Sequence, residues 1–210
     1  MNVDFTKAVN EGQALTLSGH IRLGAAWDTS SRGKGGILGK LAKRAGADLD
    51  AVAILCENGD PKLMAGLGNN DPLGDGSVLH SGDNTTGKGE GDDEVIDLHL
   101  GSVESSINEI YLVVSAFKES NKMLDEATGT SGFGGAENVQ FRFYDMESDK
   151  NNPLFKVRPS LMRSENTCVL IKLTRNSAAA GAWDLVKVDN WAKVTHGDRI
   201  SLLRSALNAR

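Results

Sequence analysis

The sequence predicts an all-β fold, a β-sandwich of two antiparallel sheets with long loops and a short C-terminal helix. Short segments of alternating or briefly continuous apolar residues recur along the chain, and clusters of Gly, Asn and Asp separate them. Helical periodicity is sparse. Several strands at such short spacing are typical of a sandwich or barrel. A chain of 210 residues can bury its own core, so we expect one domain over residues 1–210.

The apolar pattern predicts about seven strands. In the first, Leu15, Leu17 and Ile21 fall on roughly period-two positions. The predicted strands cover residues 13–27, 48–57, 94–100, 109–117, 138–146, 166–174 and 182–194. Turn-forming residues at 57–61 and 70–77 separate some of them.

A clear helical pattern occurs near the C-terminus. Ile200, Leu203 and Leu207 recur at helical spacing, and Asp198 is a candidate N-cap. We therefore predict a closing helix over about 198–208.

Two polar segments are predicted to be long loops. Residues 30–46 form a glycine-rich insertion with five basic residues and no acidic one. This insertion is either a solvated loop or a contact site for an anionic partner or a membrane surface. Residues 118–135 are polar and end in glycines.

Composition narrows the class of protein. No apolar run approaches the ~20 residues that a membrane span needs. The first residues lack a basic segment followed by an apolar one, so we expect no secretory signal and a cytoplasmic location. The net charge of −5 argues against nucleic-acid binding.

The two cysteines lie in apolar, strand-like runs. Neither Cys56 nor Cys168 has a second Cys or a His at ligand spacing. We predict buried thiols, and a disulfide or a metal role is the weaker alternative.

Residues 82–89, GDNTTGKG, come within one position of a phosphate-binding loop. That motif ends in Gly-Lys followed by Ser or Thr, and here Gly89 takes the last position. The segment that follows alternates with period two and predicts a strand, whereas a phosphate loop leads into a helix. Acidic residues at 90 and 92–94 would repel a triphosphate. A nucleotide site is therefore disfavoured.

The same acidic stretch suits a hard cation. Calcium takes about six to eight oxygen ligands from carboxylates, Asn side chains and backbone carbonyls. Residues 83–94 supply all three kinds, and the alternative is a solvated acidic turn. One loop rarely completes a calcium shell, so a second acidic loop is expected. Asp48 and Asp50 precede a predicted buried strand and Asp28 ends another, although each also fits a turn or strand-edge acid.

The stretch GDNTTGKGEGDDEVI, residues 82–96, resembles the signature of the TerD family of tellurium-resistance and general stress proteins. That signature is a GDN-x-TG segment, a run of glycines and acids ending in GDDE, and a strand. The segments LGAAWDTSS, DLDAVAIL, DGSVLHSGDN and ENVQFRFYD are similar to other parts of the family, so the resemblance covers roughly residues 5–192. The basic insertion is similar to that of the TerX and TerZ branch.

The resemblance implies a β-sandwich that binds calcium, with two ions, at clustered acidic loops, and it implies no established enzymatic activity. Carried over position by position, the implied ligands are Asp28, Asp48, Asp50, Asp83, Asn84, Glu90, Asp92, Asp93 and Glu94. Two departures exist. Ala51-Val52 replaces the usual Ala-Ser after DLD, and the polar loop before the strand at 136–145 is longer than usual.

We therefore expect a calcium-binding stress-response protein that is not an enzyme and that recruits protein partners. The main alternative is a metal-assisted or redox enzyme acting on tellurite or another small substrate. Direct redox chemistry would require a reactive thiol. A third possibility is a structural scaffold whose acidic loop is only solvated.

Overall fold

The computed structural model describes residues 5–29, 49–84, 91–116, 136–157 and 166–192. The described helix and strands are α1 Phe5–Asn10, β1 Leu15–Leu17, β2 His20–Thr29, β3 Asp50–Glu57, β4 Asp60–Ala65, β5 Val78–His80, β6 Glu94–His99, β7 Glu109–Ser115, β8 Ala136–Asp145, β9 Phe155–Val157, β10 Thr167–Arg175 and β11 Trp183–Ala192. The predicted loops at 30–46 and 118–135 and the predicted helix at about 198–208 lie outside the described residues.

Two antiparallel sheets make up the fold, as the sequence predicts. One sheet has six strands in the order β1-β11-β10-β7-β3-β4. The other has five strands in the order β5-β6-β2-β8-β9. All strand pairings described in both sheets are antiparallel.

The main core lies between the two sheets. Its largest members include Trp183, whose indole Nε1 donates to the Leu100 carbonyl at 3.1 Å, and the stacked rings of Phe143 and Phe155. A smaller buried cluster involves the alternate residues of β3, among them Val52. Strand β3 is thus covered on both faces, which explains why its sequence is continuously apolar.

The predicted strand at 13–27 is two strands in different sheets. The chain turns at Gly19, whose φ of 74° lies in the left-handed region that favours glycine. Residues 15–17 then pair with β11 in the six-stranded sheet, and residues 20–29 pair with β6 and β8 in the other. Period-two spacing continues across the break, so the pattern alone did not reveal it.

Three further strands, β4, β5 and β9, were not predicted. Each lies at the edge of a sheet, and β5 and β9 have three residues. Strand β4 contains Pro61, which an edge strand tolerates because one side of it needs no backbone donor. The predicted turn at 57–61 is confirmed: Asn58 and Gly59, at φ 52° and 81°, connect β3 to β4.

The N-terminal helix α1 was also not predicted. It has six residues, which is too short for helical periodicity to show in the sequence. Val9 is fully buried in the main core and attaches the helix to the sandwich. The helix ends where Gly12, at φ 78°, donates its N–H to the Val9 carbonyl.

None of the helices described is long and apolar enough to span a membrane.

Candidate cation site

Three carboxylates from different parts of the chain meet at one end of the sandwich. Asp50 is the first residue of β3, Glu94 is the first residue of β6, and Asp83 lies in the segment between β5 and β6. One oxygen of each lies within 4.8 Å of the others. Asp50 and Glu94 are buried and Asp83 is exposed. We call these three residues the cation cluster.

The Glu94 carboxylate connects the two sheets. It is 1% exposed, and its Oε2 accepts the N–H of Ala51, on β3, at 2.7 Å. Its Oε1 accepts the N–H of Asn84 at 3.1 Å. Each oxygen retains a lone pair that a cation can use, because a carboxylate oxygen accepts more than one contact. Glu94 therefore fixes both β3 and the start of the acidic segment that follows Asp83.

His80 lies against the cation cluster but was not among the predicted ligands. Its Nδ1 accepts the Gly82 N–H at 3.0 Å, so the ring proton is on Nε2. Nε2 lies 3.4 Å from Glu94 Oε2. Nε2 makes no hydrogen bond among the described residues, so His80 supports the turn through Nδ1 and lies beside Glu94 without bonding to it.

The cation cluster brings three acidic side chains together, and two of them are buried. Two unit charges 4.8 Å apart repel by about 3 kcal/mol at an effective dielectric of 20. Hydrogen bonds from Ala51 and Asn84 spread part of the charge of Glu94. A divalent cation bound among the three oxygens would reverse the remaining repulsion.

Asp93 and Asn84 adjoin the cation cluster. Asp93 Oδ2 accepts the Trp27 N–H at 2.9 Å, at the place where a bulge between residues 26 and 28 disturbs the pairing of β2 with β8. The Asn84 side-chain amide donates to the Asp93 carbonyl at 3.3 Å. Burial raises the pKa of Asp93, the Trp27 N–H opposes this, and the charge of Asp28 raises it further.

Asp92 and Asp28 have other partners. Asp92 Oδ1 lies 2.8 Å from Arg142 Nε, and the Asp92 carboxylate lies over Gly24 of β2. Asp28 is exposed and its Oδ2 accepts the side-chain amide of Asn138 at 2.7 Å.

The structure thus unites three of the nine predicted ligands in one group: Asp50, Asp83 and Glu94. Asn84 and Asp93 contact that group or each other, while Asp28 and Asp92 lie in other contacts. Asp48 and Glu90 lie outside the described residues. The sequence analysis included Arg142 only as part of the segment ENVQFRFYD and assigned it no role, although an arginine between two phenylalanines of a predicted strand was a signal of a specific partner.

The predicted state of the cysteines is confirmed. Cys56 and Cys168 are free thiols and both are buried. Burial raises the pKa of Cys56 to about 12, and burial also raises the pKa of Cys168 far above its ordinary value. Since the thiolate is the reactive form, burial and the raised pKa both disfavour reaction at these thiols in the folded protein.

Several known proteins are similar to this chain in sequence, and solved structures are similar to it in fold. Stress response protein SCP2 of Bacillus subtilis (strain 168) is 30% identical over 162 residues, which cover 72% of this chain and 77% of that protein. Tellurium resistance protein TerZ of Serratia marcescens is 28% identical over 174 residues, covering 83% and 79% of the two chains.

The crystal structure of a homologue of telluride resistance protein (TerD) from Streptomyces coelicolor A3(2) has the same fold. It superposes with a TM-score of 0.61 at 17% identity and covers 89% of this chain and 95% of that one. The TerD domain model matches residues 5–190. The chain therefore belongs to the TerD family, whose members include tellurium-resistance and stress-response proteins.

Proposed function

We propose that this protein binds calcium at the cation cluster and acts in the stress response as a non-enzymatic interaction module. The observation that supports this most directly is the convergence of Asp50, Asp83 and Glu94, whose ligand oxygens lie within 4.8 Å of one another. Two of the three are buried, where the attraction between a carboxylate and a cation is less screened by water than at the surface.

The donor set fits calcium better than a transition metal. All three ligand atoms are carboxylate oxygens, which hard cations prefer. Zinc and copper prefer nitrogen and sulfur ligands, and the nearby His80 already uses its Nδ1 to accept the Gly82 N–H. The composition of residues 83–94, rich in glycine and in carboxylate and carbonyl oxygens, suits the irregular coordination of calcium.

In the proposed mechanism the ion joins elements that otherwise repel each other. The start of β3, the start of β6 and the segment at Asp83 each contribute one carboxylate. Binding to the folded state alone raises the free energy of unfolding by RT ln(1 + [L]/Kd), about 2.7 kcal/mol at a hundredfold excess of calcium over Kd. The exposed side of this ordered end would then recruit a protein partner.

Isothermal titration calorimetry and thermal unfolding with calcium test the proposal. Asp83→Asn removes one ligand charge at an exposed position, so we expect normal folding and calcium binding weakened about tenfold or more. The matched control is Asp60→Asn, which removes the same charge at the opposite end of β3, beside Glu57.

Two results would contradict the proposal. One is a wild-type protein whose melting temperature and heat of titration do not respond to millimolar calcium. The other is equal weakening by Asp83→Asn and Asp60→Asn, because this would show an effect of net charge without a site at the cluster. Affinity capture with and without calcium tests the interaction role, which predicts a partner retained only with calcium.

A further inference from the structure

We propose that Arg142 is a positioning residue for the cation site: it clamps the acidic segment through Asp92, which serves as an anchor and not as a cation ligand. The affinity part of this inference rests on the proposed calcium binding. The structural part does not, because the clamp is formed by the chain alone.

Arg142 holds two consecutive residues of the acidic segment. Its Nε lies 2.8 Å from Asp92 Oδ1, and its Nη2 donates to the Gly91 carbonyl at 2.6 Å. Arg142 Nε and Asp92 Oδ1 are both buried, and they form a close ion pair whose geometry is not that of a hydrogen bond, so the hydrogen bond of the clamp is the one to the Gly91 carbonyl. Such a two-point contact, to a side chain and to the backbone, fixes the path of the chain as well as its charge.

The Asp92 carboxylate packs against the backbone of β2 at Gly24. Any side chain at this position would clash with it, because a Cβ on Gly24 would lie 2.1 Å from Asp92 Cγ. The buried ring of Tyr144 lies on the same side, and burial together with the charge of Asp92 raises the pKa of Tyr144. The Asp92 carboxylate therefore occupies space that only glycine leaves open.

The clamp is followed directly by the cation cluster. After Asp92, the Asp93 N–H donates to the Ala25 carbonyl at 2.7 Å, and Glu94 then enters the cluster. Holding Gly91 and Asp92 against β2 sets the position from which Glu94 starts. Loss of the clamp lowers the fraction of molecules with a competent site, and apparent affinity falls with that fraction.

The direction in which calcium affinity changes when Arg142 is removed shows whether Asp92 is an anchor or a cation ligand. Arg142 is positive, so its removal would strengthen calcium binding if Asp92 were a ligand freed from a competing cation. If Arg142 positions the segment, the same substitution weakens binding although it removes a positive charge. For Arg142→Gln we expect the calcium Kd to rise about tenfold.

The experiment compares Arg142→Gln with Arg22→Gln. Arg22 is the matched control, because it lies on β2, the strand that pairs with the β8 strand of Arg142, and it also forms an ion pair, with Asp97. Calcium affinity is measured by calorimetry. Amide hydrogen exchange of Trp27 and Asp93 is measured in calcium-free protein, because these two N–H groups hydrogen-bond β2 to the clamped segment: Trp27 donates to Asp93 Oδ2, and Asp93 donates to the Ala25 carbonyl.

We expect faster exchange at both amides and a weaker Kd in Arg142→Gln, with neither change in Arg22→Gln. Arg142→Lys keeps the charge but cannot make both contacts, so it is expected to weaken binding by an intermediate factor, and it serves if the glutamine variant does not fold. Unchanged or tighter calcium binding in either Arg142 variant would overturn the inference. If wild-type protein binds no calcium, the proposed function fails. The hydrogen-exchange comparison then still tests whether Arg142 holds the acidic segment against β2.

Discussion

Gly24 provides a direct steric test of how the acidic segment is seated. Gly24→Ala would place a Cβ 2.1 Å from Asp92 Cγ, where ordinary contact begins near 3.4 Å. The carboxylate would have to retreat by about 1.3 Å, which stretches its 2.8 Å ion pair with Arg142. Overpacking of this kind typically costs about 1–3 kcal/mol.

A compensating gain makes a control necessary. Alanine restricts the unfolded chain and stabilises by about 0.4–1 kcal/mol where its backbone conformation is allowed. Gly24 does not have a positive φ, so it receives this gain, and the expected net loss is about 1–2 kcal/mol. Gly101→Ala is the matched control, because its φ is also not positive and nothing lies within 4 Å of its Cβ.

Equilibrium unfolding in urea measures both variants. With a slope of about 2 kcal/mol per molar urea, the midpoint of Gly24→Ala should fall by about 0.5–1 M, and that of Gly101→Ala should stay or rise. A Gly24→Ala protein as stable as the control would refute the placement of Asp92 over β2.

Two further predictions concern the thiols and the pH dependence of stability. Cys56 and Cys168 are buried with raised pKa values, so a thiol reagent at pH 8 should label them only in urea; rapid labelling of the folded protein would restore the redox alternative. Burial alone would raise the pKa of Asp97, but hydrogen bonds from Arg22 and His20 outweigh it and the pKa is lowered. The stability from Asp97 should thus be complete above the unfolded pKa of about 3.9 and lost as pH falls through the lower folded value. The difference between wild type and Asp97→Asn in urea titrations should shrink from pH 6 to pH 3, and a constant difference would contradict this.

The interior strands were predictable because the faces that they bury determine which of their positions are apolar. Strand β3 is covered on both faces and reads as a continuous apolar run, whereas β6 alternates with one face on the core. The edge strands β1, β4, β5 and β9 each pair on one side only. Their short or mixed sequences carry little periodicity, so they were merged with a neighbour or not predicted.

The candidate site was predictable in its residues but not in its geometry. The acids at 83–94 and before β3 stand out by type, and the family resemblance implied that they are cation ligands. That Asp50 and Glu94 meet depends on how two different sheets pack, which is a long-range property absent from local pattern. The contact of Arg142 with Asp92 depends in addition on β8 pairing with β2.

Three consecutive acids illustrate why a run of carboxylates in sequence is not a set of ligands in space. Asp92 is neutralised by Arg142, Asp93 accepts the Trp27 N–H, and Glu94 reaches the cation cluster. If all three shared one ion, their mutual repulsion would have to be overcome together, whereas separate donors compensate each charge where it lies. Under the proposed function, a bound cation would balance mainly the three carboxylates of the cation cluster. The neighbouring acids instead fix the chain that carries Glu94 to the site.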